Sequence, residues 1–316
     1  MLSRTADHLF WMARYMERAE NLARMLEVNY RMSLLPQTRA EATDNWVALL
    51  RIMSLDEQYK ERHGAVTPDS VLRYMIFDDA NPSSIRSCLR ATRENAHAVR
   101  GTLTSELWET TNACWLKMRS FTPAAMEETG IDAFFEWVKY RSHLSRGVTI
   151  GTMLQDESLR FIRLGTFLER ADNTARILDV KYQTLMSSEG EDDGGSADYY
   201  RWSALLHSVS AFEVYRKVYR DMITPVRVAE LLILDANMPR SLARCLKEVA
   251  TNIAAVGNGR SAETGRRAGQ LEASLRFGRI EDVMSRGLHA FLDEFMESIY
   301  DLGGRIADDF LIPTNN

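Results

Sequence analysis

Cysteine is scarce in this 316-residue chain: Cys88, Cys114 and Cys245 are too few and too scattered for a disulfide framework or a zinc site. They read as small buried residues of a protein in a reducing compartment. Seven prolines and seventeen glycines leave long uninterrupted stretches, and alternating strand patterns are nearly absent. No run approaches the ~20 apolar residues of a membrane helix. The opening MLSRTADHLFWMARYMERAE carries charge inside its apolar stretch and lacks a cleavage pattern, so it does not read as a signal peptide. Basic residues are not in excess either. A net charge of -5 and a pI near 5.8 argue against a duplex nucleic-acid binder. There is no glycine-rich P-loop, no Gly-x-Gly-x-x-Gly and no Gly-x-Ser-x-Gly. These absences predict a cytoplasmic protein without nucleic-acid or membrane partners, with no cofactor of its own and no metal site.

What is present is a duplication. ERAENLARMLEVNY (17–30) returns as ERADNTARILDVKY (169–182), and Trp46-Val47-Ala48-Leu49-Leu50 as Trp202-Ser203-Ala204-Leu205-Leu206. FDDANPSSIRSCLR matches LDANMPRSLARCLK, which sets Cys88 on Cys245, and Gly130 to Phe134 match Gly287 to Phe291. The offset drifts only from 152 to 157. Apolar residues recur at spacings of three and four, as in Met12, Tyr15, Met16, Ala19, Leu22, Ala23, Leu26 and Tyr30. In Thr67-Pro68 and Thr224-Pro225 a threonine can cap while the proline takes the first helical position, and Asn81-Pro82-Ser83-Ser84 starts another helix. The expectation is all-α: a duplicated helical bundle with pseudo-twofold halves, roughly five helices per half. The repeats run approximately from 2 to 150 and from 154 to 310, inside a single domain spanning 1–316. The acidic, glycine-bearing stretch 187–198 reads as a flexible exposed loop.

Chemistry concentrates on the repeated helix. Glu17, Glu20, Arg24, Glu27 and Arg31 fall in a sector roughly 80° wide that flanks the apolar stripe, and Glu169, Asp172, Arg176 and Asp179 repeat it. Glu20–Arg24 and Asp172–Arg176 are acid-to-base pairs at i,i+4. An exposed pair of that kind contributes only about 0.3–0.5 kcal/mol, so burial at the junction of the halves is expected. Two readings stay open. In one, arginine forks saturate carboxylates of both copies and fix how the halves dock. In the other, Arg18, Arg24, Arg170 and Arg176 hold an anionic group in a polar cleft, with Glu17 and Glu169 as acid, base or metal ligand. Asp78, Asp79 and Asp235 could ligate a hard cation, but they are also ordinary loop residues. The six tryptophans, Trp11, Trp46, Trp108, Trp115, Trp137 and Trp202, sit at helical spacings and read as core.

SRTADHLFWMARYMERAENLARMLEV, DDANPSSIRSCLRATRENAHAVR, SELWETTN and FIRLGTFLERADNTARILDVKY together resemble the bacterial alpha-E domain family, an all-helical family named for its glutamates. The likeness runs from about Leu2 to about Asp309. It carries the family's Glu-Arg motif onto Glu17, Arg18, Glu20 and Arg24, and again onto Glu169, Arg170 and Arg176, with Asp172 where a glutamate stands in the pattern. The Asn-Pro-x-Ser element falls on Asn81, Pro82 and Ser84, and becomes Met238, Pro239 and Ser241 in the second copy. The resemblance implies a helical, non-ATP-binding partner of a circularly permuted ATP-grasp amide ligase, in a system that includes a transglutaminase-like peptidase. Magnesium would enter only through the ligase, and a homodimer is a further possibility the chain leaves open. Alternative functions are a stand-alone enzyme using paired glutamates in acid-base or metal-assisted amide chemistry, and a structural interaction module.

Overall fold

Two helices of 31 residues form the centre, α1 (Ser3–Ser33) and α8 (Glu157–Ser187). The computed structural model describes residues 1–36, 38–124, 126, 130–187 and 196–311. Among them are fifteen α-helices, one 3-10 turn and no strand. After α1 come α2 (Arg39–Ile52), α3 (Asp56–His63), α4 (Pro68–Phe77), α5 (Ile85–Ala98), α6 (Ser105–Met118) and α7 (Ile131–Thr152). After α8 come α9 (Ser196–Ser208), α10 (Phe212–Tyr219), α11 (Pro225–Ile233), α12 (Leu242–Val256), α13 (Ala262–Arg276), α14 (Ile280–Arg286) and α15 (Leu288–Phe310).

The anticipated starts are used. Thr67 and Thr224 cap helices whose first residue is proline, and Ser84 and Ser241 cap α5 and α12 by accepting from the backbone N–H three residues on. Gly130 (φ 83°) and Gly287 (φ 88°) precede α7 and α15 in a left-handed conformation that L side chains rarely adopt. Helices are more numerous and shorter than the ten or so expected. Ser54 (φ 54°) and Ser210 (φ 53°) turn the chain after α2 and α9, and serine in a left-handed conformation is not a break that composition announces. Of the acidic stretch, residues 188–195 lie outside the described residues.

The two long helices lie side by side and run the same way, because their contacts ascend together. The Met1 ammonium meets Glu157, Gly165 abuts Phe10 and Arg18 reaches Glu169. Around this pair, α1 packs on α5 and α7, and α8 packs on α12 and α15. Leu9, Leu22, Leu26, Leu164, Leu168 and Leu178 are fully buried between these layers. Trp46 and Trp202 are buried, and the other four tryptophans pack against the core. No helix among the described residues is long and apolar enough to cross a membrane.

Candidate interhelical Glu/Arg site

The seam between α1 and α8 carries charge at its middle. The Arg18 Nε donates to Glu169 Oε1 at 2.5 Å and its Nη2 to Oε2 at 3.0 Å. In return, the Arg170 Nε and Nη2 each donate to Glu17 at 2.8 Å. Each Glu-Arg pair thus grips its counterpart with a two-pronged fork, the geometry that makes guanidinium–carboxylate pairs strong. Glu17 and Glu169 are 2% and 5% exposed, so this clasp lies in the interior.

Two clusters grow from it, and they are unequal. On one side Arg240 Nη1 donates to Glu17 and to Asn21 Oδ1, while its Nη2 donates to Glu20 at 2.7 Å. Arg146, from α7, spans Glu17 and Glu20 at 3.1 and 2.5 Å, and Ser142 adds a hydroxyl to Glu20 at 2.7 Å. The expected i,i+4 pair completes it, with the Arg24 Nε donating to Glu20 at 2.9 Å. Four arginines (Arg24, Arg146, Arg170, Arg240) therefore share two carboxylates. On the other side Glu169 also takes Arg14 at 2.7 Å, and Asp172 is held by Arg176 at 3.0 Å. The Arg176 guanidinium reaches Ser54 as well.

Burial opposes ionisation of these acids, and their partners decide the outcome. Arg170 and Arg240 hold Glu17 below the usual carboxylate range. Arg240, Arg146 and Arg24 hold Glu20 well below it, and Arg14 and Arg18 bring Glu169 to about 2. Asp172 behaves differently: burial pushes it up, and Arg176 only partly compensates. At neutral pH Glu17 and Glu169 are ionised and fully occupied by guanidinium forks, an arrangement suited to holding charge in place rather than to passing protons. Burial raises the Cys88 and Cys245 thiols, which lie against the two clusters, to about 12, so neither is a thiolate at neutral pH. All three cysteines are buried and free.

These shifts set an acid limit. A carboxyl whose folded pKa is depressed stabilises the fold above its unfolded value of about 4.3 and stops doing so as pH falls through the folded value. The urea midpoint is expected to stay level down to about pH 5 and to fall between about 4.5 and 2, with Glu169→Gln making the fall shallower. Asp172, raised, tempers the loss. An acid limb unchanged in Glu169→Gln would refute the assignment.

The first cluster opens outward. Arg24 and His143 line a cleft of about 570 Å³ with Trp137, Lys139, Tyr140 and Glu136. Arg24 approaches His143 Nε2 at 3.1 Å and Arg146 approaches Nδ1 at 3.0 Å. Burial lowers the His143 pKa, and although Glu20 favours its charge, the arginines around it reinforce the neutral form. A neutral imidazole accepts at one nitrogen only, so two guanidinium donors compete for a single lone pair. The Trp137 indole N–H and the Asn21 amide N–H, both buried, have no acceptor among the described residues, and Asn21 does not line the cleft. The cleft sets the Arg24 guanidinium and His143 beside the Glu136 carboxylate and the Tyr140 hydroxyl, and its Lys139 ammonium is paired with Glu27.

Of the residues singled out in the sequence, Glu17, Arg18, Glu20, Arg24, Glu169, Arg170, Asp172 and Arg176 come together in this seam. Asn81 and Ser84 are engaged elsewhere. The buried Asn81 amide donates to the Tyr74 carbonyl and accepts from the Ser83 N–H, and Ser84 caps α5. Asp78 and Asp235 accept from backbone N–H groups of their own loops, and Asp79 pairs with Arg90. No group of three metal-ligating side chains suited to an ion occurs among the described residues. Sequence reasoning missed Arg14, Ser142, His143, Arg146 and Arg240. For Arg240 a faint signal existed: it replaces Ser83 inside the matched Asn81 to Ser84 and Met238 to Ser241 elements.

Residues 1–311 match Alpha-E, a family described as a predicted alpha-helical domain with a conserved ER motif. Uncharacterised proteins of Mycobacterium bovis and Mycobacterium tuberculosis are each 24% identical to the chain over 326 residues, covering 96% of it. The chain spans 36% of the length of these relatives. No solved structure matches it.

Proposed function

The chain belongs to the Alpha-E family, and from that premise we propose that it is a helical binding module whose Glu/Arg clasp joins two related halves and whose Arg24/His143 cleft takes an anionic group. In this reading the anion is the carboxylate or acyl phosphate of a peptide substrate. The chain serves as an accessory partner of the ATP-grasp amide ligase that the family resemblance implies, beside a transglutaminase-like peptidase. Burial in such a cleft would shield an acyl phosphate from water.

One observation carries the cleft reading. Four arginines share two carboxylates beside an imidazole that can satisfy only one of the two guanidinium groups facing it. Arg170 and Arg240 are buried with Glu17 and Glu20 and balance them, whereas Arg24 and Arg146, 13% and 29% exposed, add positive charge that an anion can offset. The duplication into pseudo-twofold halves is part of the same proposal. It is supported by the reciprocal Arg18–Glu169 and Arg170–Glu17 forks and by the recurring order of helix lengths, 31, 14, 8 and 10 residues answered by 31, 13, 8 and 9.

The test is ATP turnover by the ATP-grasp protein over a panel of amino acids and peptides, with and without this chain. Stimulation that saturates at stoichiometric ratio is expected, and it should be lost with the cleft variant Arg24→Ala/His143→Ala. No change in rate or product would overturn the accessory role.

A further inference from the structure

The second half carries an apolar pocket of about 200 Å³ between α11, α13, α14 and α15. Leu234, Leu271, Leu275, Val283 and Phe291 form its walls, and Gly278 forms part of its edge. The internal sequence match explains why it is open. In the first half the corresponding volume is packed with rings: Phe121 lies 5.0 Å from Phe134 and 4.9 Å from Trp137, and Phe77 lies 6.3 Å from Phe134. The matched positions in the second half are Gly278 for Phe121, Phe291 for Phe134, Glu294 for Trp137 and Leu234 for Phe77. Two large rings are gone and a third is reduced to leucine, and a pocket remains that is apolar at its walls and charged at its rim.

The chain also presents the missing ring. Phe277, the residue before Gly278, is 75% exposed, with only the Arg276 guanidinium 5.3 Å from its centroid. Socket and protruding ring are immediate neighbours. That is the placement in which a twofold rotation sets each ring into the other copy's socket, because an isologous interface pairs one patch with itself. The rim carries both charges, with Arg286 paired to Glu294 and Arg279 to Glu281, so neither sign dominates where an identical surface would meet it. We propose that two copies of this chain associate across this face, each Phe277 ring filling the pocket of its partner.

The proposal is independent of the anion cleft and is tested by the mass of the full chain in solution. Sedimentation velocity over a concentration series should give a dimer for the wild type. Phe277→Ser removes the ring, and Glu294→Trp restores to the second half the indole that fills this space in the first. Both are expected to weaken the dimer by about tenfold or more while keeping the wild-type far-UV spectrum, because both residues are exposed. A wild type that is monomeric throughout, or a dimer indifferent to both variants, would overturn it. A monomeric wild type that binds N-acetylphenylalanine amide, with binding abolished in Glu294→Trp, would also overturn it and assign the pocket to a foreign aromatic residue.

Discussion

Replacing Glu20 with alanine is expected to lower the free energy of unfolding by about 3–5 kcal/mol, read from equilibrium urea denaturation. Glu20 is fully buried and receives Arg24, Arg146, Arg240 and Ser142. Its removal leaves the buried Arg240 with Glu17 and Asn21 alone and takes from Arg24 and Arg146, which are partly open to solvent, the carboxylate they share. The cost reflects uncompensated charge more than lost packing, so Glu20→Gln, which keeps the shape, is expected to lose nearly as much. Exposed pairs set the contrast: Glu263, which joins Arg266 and Arg267 at the surface, should leave the midpoint unchanged when replaced. A loss under about 1 kcal/mol for Glu20→Ala would mean the arginines repel one another less than their burial implies.

The second large effect is a reversal of sign. In an open helix position, Gly→Ala stabilises by roughly 0.5–1 kcal/mol, and Gly269, with nothing within 4 Å of an added Cβ, should behave so. Gly165 should not. A Cβ there would sit 2.2 Å from the Phe10 carbonyl oxygen and 3.3 Å from the Ala13 Cβ, inside the seam of α1 and α8. The obstacle is backbone, which no rotamer change relieves, so the long helices must move apart and loosen the clasp one turn further on. Gly165→Ala is expected to destabilise by about 1–3 kcal/mol or more, and thermal melts of the two variants side by side check it. Equal melting temperatures would mean that the helices are further apart than described.

How much of this was legible in the sequence follows from what a repeat can reveal. Positions matched in both copies were found, because a match is visible without knowing the fold: Glu17 with Glu169, Arg18 with Arg170, Arg24 with Arg176. The small worth of exposed pairs predicts their burial, and the seam buries Glu17, Glu169 and Arg170 while Arg18, Arg24 and Arg176 stay partly exposed. Residues that complete the cluster from one copy only were invisible to that argument. Arg240 stands opposite Ser83, Arg14 opposite Thr166, His143 opposite Tyr300 and Arg146 opposite Gly303. Arg14 lies one turn before Arg18 on α1, whereas Arg240, His143 and Arg146 reach the seam through tertiary packing and not through any local pattern. The same holds for helix number. Thr67-Pro68 and Thr224-Pro225 announce starts through their chemistry, whereas the turns at Ser54 and Ser210 depend on backbone conformations that serine does not advertise. Asn81 and Ser84 were drawn into the candidate site by resemblance, and in the structure their polar atoms are engaged by nearby backbone groups.

On the proposed reading, the unequal cluster leaves positive charge for a ligand. Isothermal titration calorimetry with acetyl phosphate and with an N-acetylated glutamyl peptide tests it most directly, on the wild type and on Arg24→Ala/His143→Ala, with Arg266→Ala as a distant control. One site per chain is expected, weakened by increasing salt, weakened about tenfold or more in the cleft variant and unchanged in the control. Absence of binding by either anion, or binding that the cleft variant retains in full, would contradict it.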